Sequence, residues 1–287
     1  MPETCRPYRS AAALRRELAQ RGLQRREDHP CEEGFGRTPA VLYAANDAGG
    51  HGNFLPASYR RILNDPAWAG RLSKSYTGGE FLPRKGDRWR GELECATSSD
   101  ALLMNIFCYP GVLRRAAVCA RLGVEPGLRA TFGVRANLPM RRGEIDRTEW
   151  DMCLDSTLVE AKLTEGGFGK ASRERVLRYE GVERVFEIDS LPRSGNAITG
   201  YQLVRGLLAA TNGEGRYVVL LDSCREDLKE LCLRVLMAAH RAEDRARLGV
   251  CTWQELAGSL PPVLQRFLAE KYGIEPAPAR LPGSWSL

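Results

Sequence analysis

Lysine is scarce in this 287-residue chain: six lysines stand among 42 basic residues, and the other 36 are arginine. Histidine is scarcer still, with three copies, and none of the nine cysteines forms a C-x-x-C pair. No zinc-finger ligand set can be assembled from that inventory, so a structural zinc site of this kind is excluded. An odd number of cysteines spread through apolar segments points to reduced thiols. The first residues place Glu3, Arg6 and Arg9 around a short Ala-Ala-Ala-Leu run, which offers no secretory apolar core, and a cytoplasmic protein is expected. No apolar run approaches the roughly 18 residues of a membrane span, so no membrane partner is expected. Charge of one sign is not in great excess either. A net charge of +6 and a pI near 8.9 agree with a polyanionic partner without demanding one.

What the chain does have is a patterned stretch from Thr148 to Leu163. Two arms rich in β-branched, aromatic and aliphatic residues flank Asp155-Ser156, which predicts a β-hairpin. With that turn, Leu154 faces Thr157, Asp151 faces Glu160 and Glu149 faces Lys162. Side chains alternate across a strand, so Trp150, Met152, Leu154, Val159, Ala161 and Leu163 share one uniformly apolar face. The other face sets Asp151 across from Glu160, with Cβ atoms roughly 4.5–5.5 Å apart, which is unfavourable unless something offsets the like charges. A bound cation would do so. Mg²⁺, or Mn²⁺ in its place, suits a site of one or two carboxylates completed by waters and substrate phosphate. Lys162 beside it would hold or deprotonate a water, and arginine could not do the second because its guanidinium stays protonated.

Asp151 on one strand and Glu160-Ala161-Lys162 on the next resemble the signature of the PD-(D/E)XK nuclease superfamily, with Trp150 standing where the name has proline. The resemblance implies a restriction-endonuclease-like α/β fold, a central mixed sheet flanked by helices, here with an N-terminal helical extension and a C-terminal helical tail. It also implies that Asp151, Glu160 and the Ala161 carbonyl ligate Mg²⁺ and that Lys162 positions or activates water. A helix after the E-x-K strand carries in such proteins a glutamine or basic residue near the scissile phosphate, and Gln202 matches that role, Arg205 less closely. The implied activity is phosphodiester hydrolysis, DNA being favoured over RNA. A catalytically silent nucleic-acid-binding module of the same fold is the alternative, and a homodimer is left open.

The remaining chain supplies the scaffold. Helices are expected over 11–22, in two short pieces over 56–74, from a cap at Ser98 or Ser99 to near Pro110 and on to Leu122, over 171–179, after a cap at Thr199, and over 225–247. Residues 128–138 predict a first strand, and Arg216 to Asp222 form a continuous apolar run typical of a strand buried on both faces. Arg88, with Lys85, Arg90 and Trp89, is a candidate phosphate-contacting patch, as is Arg173 with Arg175 and Arg178. Asp100, Glu94 and Glu144 are candidate extra metal ligands. The run Thr164 to Ser172 suggests a phosphate-binding P-loop but lacks its glycine at Thr164 and its hydroxyl residue at Ala171. The expected division is an extension over 1–90, a nuclease-like core over 91–235 and a tail over 236–287, loosely attached beyond Glu275.

Overall fold

Ser10 caps the first helix by accepting the Ala13 amide, and the apolar spacing behind it turns Leu14 and Leu18 inward, giving α1 over Ala11–Gln24. A computed structural model of the chain describes residues 9–29, 31–34, 40–74 and 91–277. The described residues divide into two compact units, one formed by Phe132–Thr252 and the other by the described residues of Arg9–Thr131 together with 253–277.

In the unit that begins with α1, a hairpin pairs β1 (Cys31–Gly34) with β2 (Ala40–Tyr43), and four helices follow: α2 (Pro56–Leu63), α3 (Pro66–Ala69), α4 (Ser99–Phe107) and α5 (Ala116–Leu122). Ser98 caps α4 through the Ala101 amide, and every residue of α4 is buried, as its unbroken apolar content requires. Asp100 lies in its first turn, 2.9 Å from Arg71 and 2.7 Å from Lys74. That buried carboxylate is thus committed to two cations of this unit. The expected core over 91–235 cuts across the observed division, because α4 and α5 cluster with the helical unit.

The other unit is built on a five-stranded mixed sheet. Its strands are β3 (Thr131–Arg135), β6 (Glu149–Leu154), β7 (Thr157–Ala161), β11 (Arg216–Leu221) and β12 (Leu248–Thr252), in the order β12-β11-β7-β6-β3. Between them in the chain lie β4 (Leu138–Met140) paired with β5 (Glu144–Asp146), and a small sheet of β8 (Lys170–Ser172), β9 (Arg193–Ser194) and β10 (Ala197–Thr199). The helices are α6 (Arg173–Leu177), α7 (Val182–Val185), α8 (Tyr201–Asn212), α9 (Glu226–Met237) and α10 (Ala242–Arg245). Further along, α11 (Trp253–Ala257) and α12 (Pro262–Tyr272) belong to the unit that begins with α1. β7 runs parallel to β11 and β11 parallel to β12, whereas β6 is antiparallel to β7. Parallel strands need long crossovers, and α8 and α9 provide them. Helix α8 lies close on β11: a Cβ at Gly206 would come 2.3 Å from the Tyr217 ring.

Several elements differ from the sequence reading. The expected helix over 225–247 ends at Met237, and the chain returns as strand β12, which has too few apolar positions in a row to be conspicuous. The helix expected at Ala171 begins at Arg173, because Ala171 and its neighbours pair with β10 and Ser172 takes the cap through the Arg175 amide. Thr199 does not cap α8. Its hydroxyl bonds the Pro192 carbonyl, and Gly200, left-handed at φ 74°, stands at the cap position.

Candidate active site

The hairpin forms in the expected register, with Leu154 opposite Thr157, Cys153 opposite Leu158 and Met152 opposite Val159. Asp155 turns the corner with a left-handed φ of 52°, which aspartate tolerates better than most residues. Trp150, Met152, Leu154, Val159, Ala161 and Leu163 are all buried, and one face of the hairpin is core as the alternation requires. Past Met152 the side chain of Asp151 intervenes: its Oδ2 accepts the Ala161 amide at 2.7 Å. A carboxylate thereby stands at the mouth between β6 and β7.

Glu160 and Lys162 lie at the carboxyl end of β7, the end of a parallel strand where α/β sheets commonly take their ligands. Glu160 is 2% exposed and Lys162 is 5% exposed, so neither charge is left to water. Lys162 Nζ donates to Glu160 Oε1 at 2.6 Å, and Gln202 Nε2 donates to the same oxygen at 2.8 Å. The like-charge opposition expected between Asp151 and Glu160 is therefore relieved in part from within the chain. Burial pulls the Lys162 pKa down, but the carboxylates of Glu160, Glu165 and Asp151 and the hydrogen bond to Glu160 outweigh it, and the net displacement is upward. Those carboxylates favour the ammonium form of Lys162.

Gln202 reaches Glu160 because the start of α8 is clasped. The carbonyl of Gly169 accepts the amides of Gly200 and Tyr201, and that of Phe168 accepts the Gln202 amide. The segment Thr164 to Gly169, which suggested a P-loop, thus closes over a helix start. Its other end is fixed by buried Arg225, which donates to the Glu165 carbonyl at 2.9 Å and grips Asp227 through two nitrogens. Glu165 also accepts the Leu163 amide at 2.6 Å. This acid escaped the sequence reading, although a carboxylate three residues beyond Lys162 is a signal that could have drawn attention to it.

The donors here suit a hard cation. Asp151 and Glu160 bring carboxylate oxygens with Ala161 between them on β7, and Glu160 Oε2 accepts no hydrogen bond among the described residues. Those residues hold no group of three or more His, Cys, Asp or Glu that could bind a metal. Two carboxylates completed by water, carbonyl and phosphate oxygen is a set Mg²⁺ commonly takes, and soft thiophilic ions do not favour it.

Arg205 is corrected by the structure. Expected to reach a nucleic acid, it is 1% exposed, stacks at 4.6 Å on the Trp150 ring and lies 3.7 Å from Asp146. The periodicity of α8 left it on the border of the core stripe, and an aromatic face with a distant acid drew it in. Arg173 is exposed and sits 3.6 Å from Asp189, whereas Arg88 lies outside the described residues, with Lys85, Trp89 and Arg90. Glu144 pairs with Arg178 on the surface. A second polar cluster was not foreseen. Tyr179 donates to Asp146 and shares a short hydrogen bond with Tyr201, whose oxygen also accepts Arg175 Nε at 3.1 Å.

Residues 19–273 match the family described as Restriction Endonuclease associating with ARP. The chain belongs to that family. The match runs over most of the sequence and includes every strand of the mixed sheet, and membership makes this a nuclease family with a restriction-endonuclease-like fold. No curated protein and no solved structure matches the chain.

Proposed function

We propose that this family member is an Mg²⁺-dependent nuclease that hydrolyses phosphodiester bonds in DNA, with Mn²⁺ able to replace Mg²⁺. The observation that carries the reading is the buried Glu160 carboxylate, which gives one oxygen to Lys162 and Gln202 and keeps the other clear, beside Asp151 at the end of the same hairpin. Asp151, Glu160 and the Ala161 carbonyl would hold the ion, which supplies charge neutralisation at the phosphodiester oxygens and a lowered pKa to an attacking water. Lys162, kept protonated by its neighbours, orients that water and offsets the negative charge that grows on the phosphoryl oxygens. Gln202 fixes the Glu160 oxygen in place, and the apolar face of Trp150, Met152 and Val159 anchors the hairpin beneath it.

A direct Glu160–Lys162 ion pair is also what a catalytically silent binding module of this fold would retain. Incubating the full chain with labelled double-stranded DNA, single-stranded DNA and RNA in Mg²⁺, Mn²⁺ or EDTA separates the two. Metal-dependent cleavage of DNA in preference to RNA is expected. Binding of DNA with no cleavage in either metal would favour the silent module, and preferential cleavage of RNA would overturn the choice of polymer.

A further inference from the structure

Asp146, Arg147, Ser172, Glu174, Arg175 and Arg178 stand along a cleft of about 410 Å³ within the sheet unit, which the acid site around Glu160 does not use. Three arginines line it. Arg147 has no ion-pair partner among the described residues, and Arg175 spends its Nε on the Tyr201 hydroxyl while its two Nη nitrogens bond nothing described. Arg178 is shared with exposed Glu144.

Two acids also line the cleft. Asp146 at its floor is fully engaged: Oδ1 accepts the Thr148 amide and hydroxyl, Oδ2 accepts the Tyr179 phenol, and buried Arg205 stands 3.7 Å away. Its charge is thus offset within the fold, and the opposing carboxylates are Glu174 on the lining and Glu144, which is paired with Arg178. An arginine fork with two idle nitrogens, a second unpaired arginine and the Ser172 hydroxyl make a donor-rich concavity, which suits a tetrahedral oxyanion.

The cleft also has a fixed relation to the acid site. Tyr201, which holds Arg175, directly precedes Gln202, which holds Glu160, so one turn of α8 serves both. We infer that this cleft is a phosphate-binding subsite, formed by Arg147, Arg175 and Arg178, that takes a phosphate of a nucleic-acid strand away from the bond being cut. It rests on the nuclease reading only for the source of that phosphate.

The test is equilibrium binding of a labelled single-stranded and a duplex oligonucleotide to the full chain in EDTA, across a salt series, with inorganic phosphate and a 5′-mononucleotide titrated separately. Arg147→Ala and Arg175→Ala should each weaken oligonucleotide binding about fivefold to tenfold. Each should also lower the salt slope, by about 0.9 for duplex or 0.7 for single strand for every phosphate no longer neutralised. Arg175→Lys should restore part of the affinity, and Arg234→Ala on α9, which removes an equal charge outside the cleft, should change neither quantity. Arginine-dependent binding of inorganic phosphate or the mononucleotide with no oligonucleotide binding would keep the phosphate site and assign it a free phosphate. Unchanged oligonucleotide affinity and slope in both alanine variants, with no binding of phosphate by the wild type, would overturn the inference. Because these readings use no cleavage, an inactive protein that binds oligonucleotide through Arg147 and Arg175 would sink the nuclease reading and leave the subsite standing.

Discussion

Lys162 shows how much one side chain's surroundings decide. Its type and its place two residues after Glu160 were legible in the sequence, because alternation along a strand puts both on one face whatever the rest of the chain does. That Gln202 joins them was expected only through family resemblance, since it depends on α8 returning across the end of β7. Arg205 was misplaced for the same reason: its partners Trp150 and Asp146 lie more than fifty residues away in sequence, and no local pattern announces them. The buried Asp146–Tyr179 pair gives a test at this scale. Burial, together with the hydrogen bonds to Asp146 and Tyr201, holds the Tyr179 pKa above its ordinary value of 10.0. A raised folded pKa means that this contribution to stability is complete below about pH 10 and fades as pH climbs beyond it. Asp146 is displaced the other way: burial raises its pKa, but the Thr148 and Tyr179 hydrogen bonds and the Arg205 charge lower it further, so its contribution fades as pH falls below the usual carboxylate range. Tyr179→Phe should therefore lower stability at neutral pH by about 1–3 kcal/mol and flatten the alkaline loss, as followed by denaturant unfolding from pH 7 to 11. An alkaline limb as steep in the variant as in the wild type would contradict the pairing.

Whole elements were legible where they were long or strictly periodic. The hairpin, its register, α1, α4 and the buried strand β11 could all be read from spacing, because the helices and the hairpin satisfy their own hydrogen bonds and β11 carries the unbroken apolar run of a strand buried on both faces. β12 was not, since Leu248 to Thr252 is short and carries a glycine, and it becomes a strand through its parallel pairing with β11. The fit of α8 on β11 is equally invisible locally, and it hangs on Gly206, where an added Cβ would meet the Tyr217 ring at 2.3 Å. Tyr217 is fully buried and its ring has little room to withdraw. Gly206→Ala should cost about 1–3 kcal/mol despite alanine's better helix propensity, and chemical denaturation would show it. A variant as stable as the wild type would mean that α8 has room to move off β11.

The whole molecule carries the family match through both of its units, and the division between them lies at different places from the boundaries read in the sequence. Such boundaries depend on which distant segments pack together, as residues 253–277 do with those from Arg9, and neither composition nor linkers marked them. Among the described residues no helix is long and apolar enough to cross a membrane. If Asp151 and Glu160 hold Mg²⁺ in the folded chain alone, the ion must stabilise the fold. At a concentration of 100 times its dissociation constant the gain is about 2.7 kcal/mol, so thermal unfolding should shift upward with Mg²⁺ in the wild type and stay fixed in Asp151→Asn. The most direct measurement is the nicking of supercoiled plasmid by the wild type, Asp151→Asn and Lys162→Met in Mg²⁺, with each variant's folding checked by circular dichroism. Nicking by the wild type that falls by about 10²–10⁴-fold in both folded variants is the predicted result; nicking that survives in either would contradict the assignment of Asp151 and Lys162 to the site.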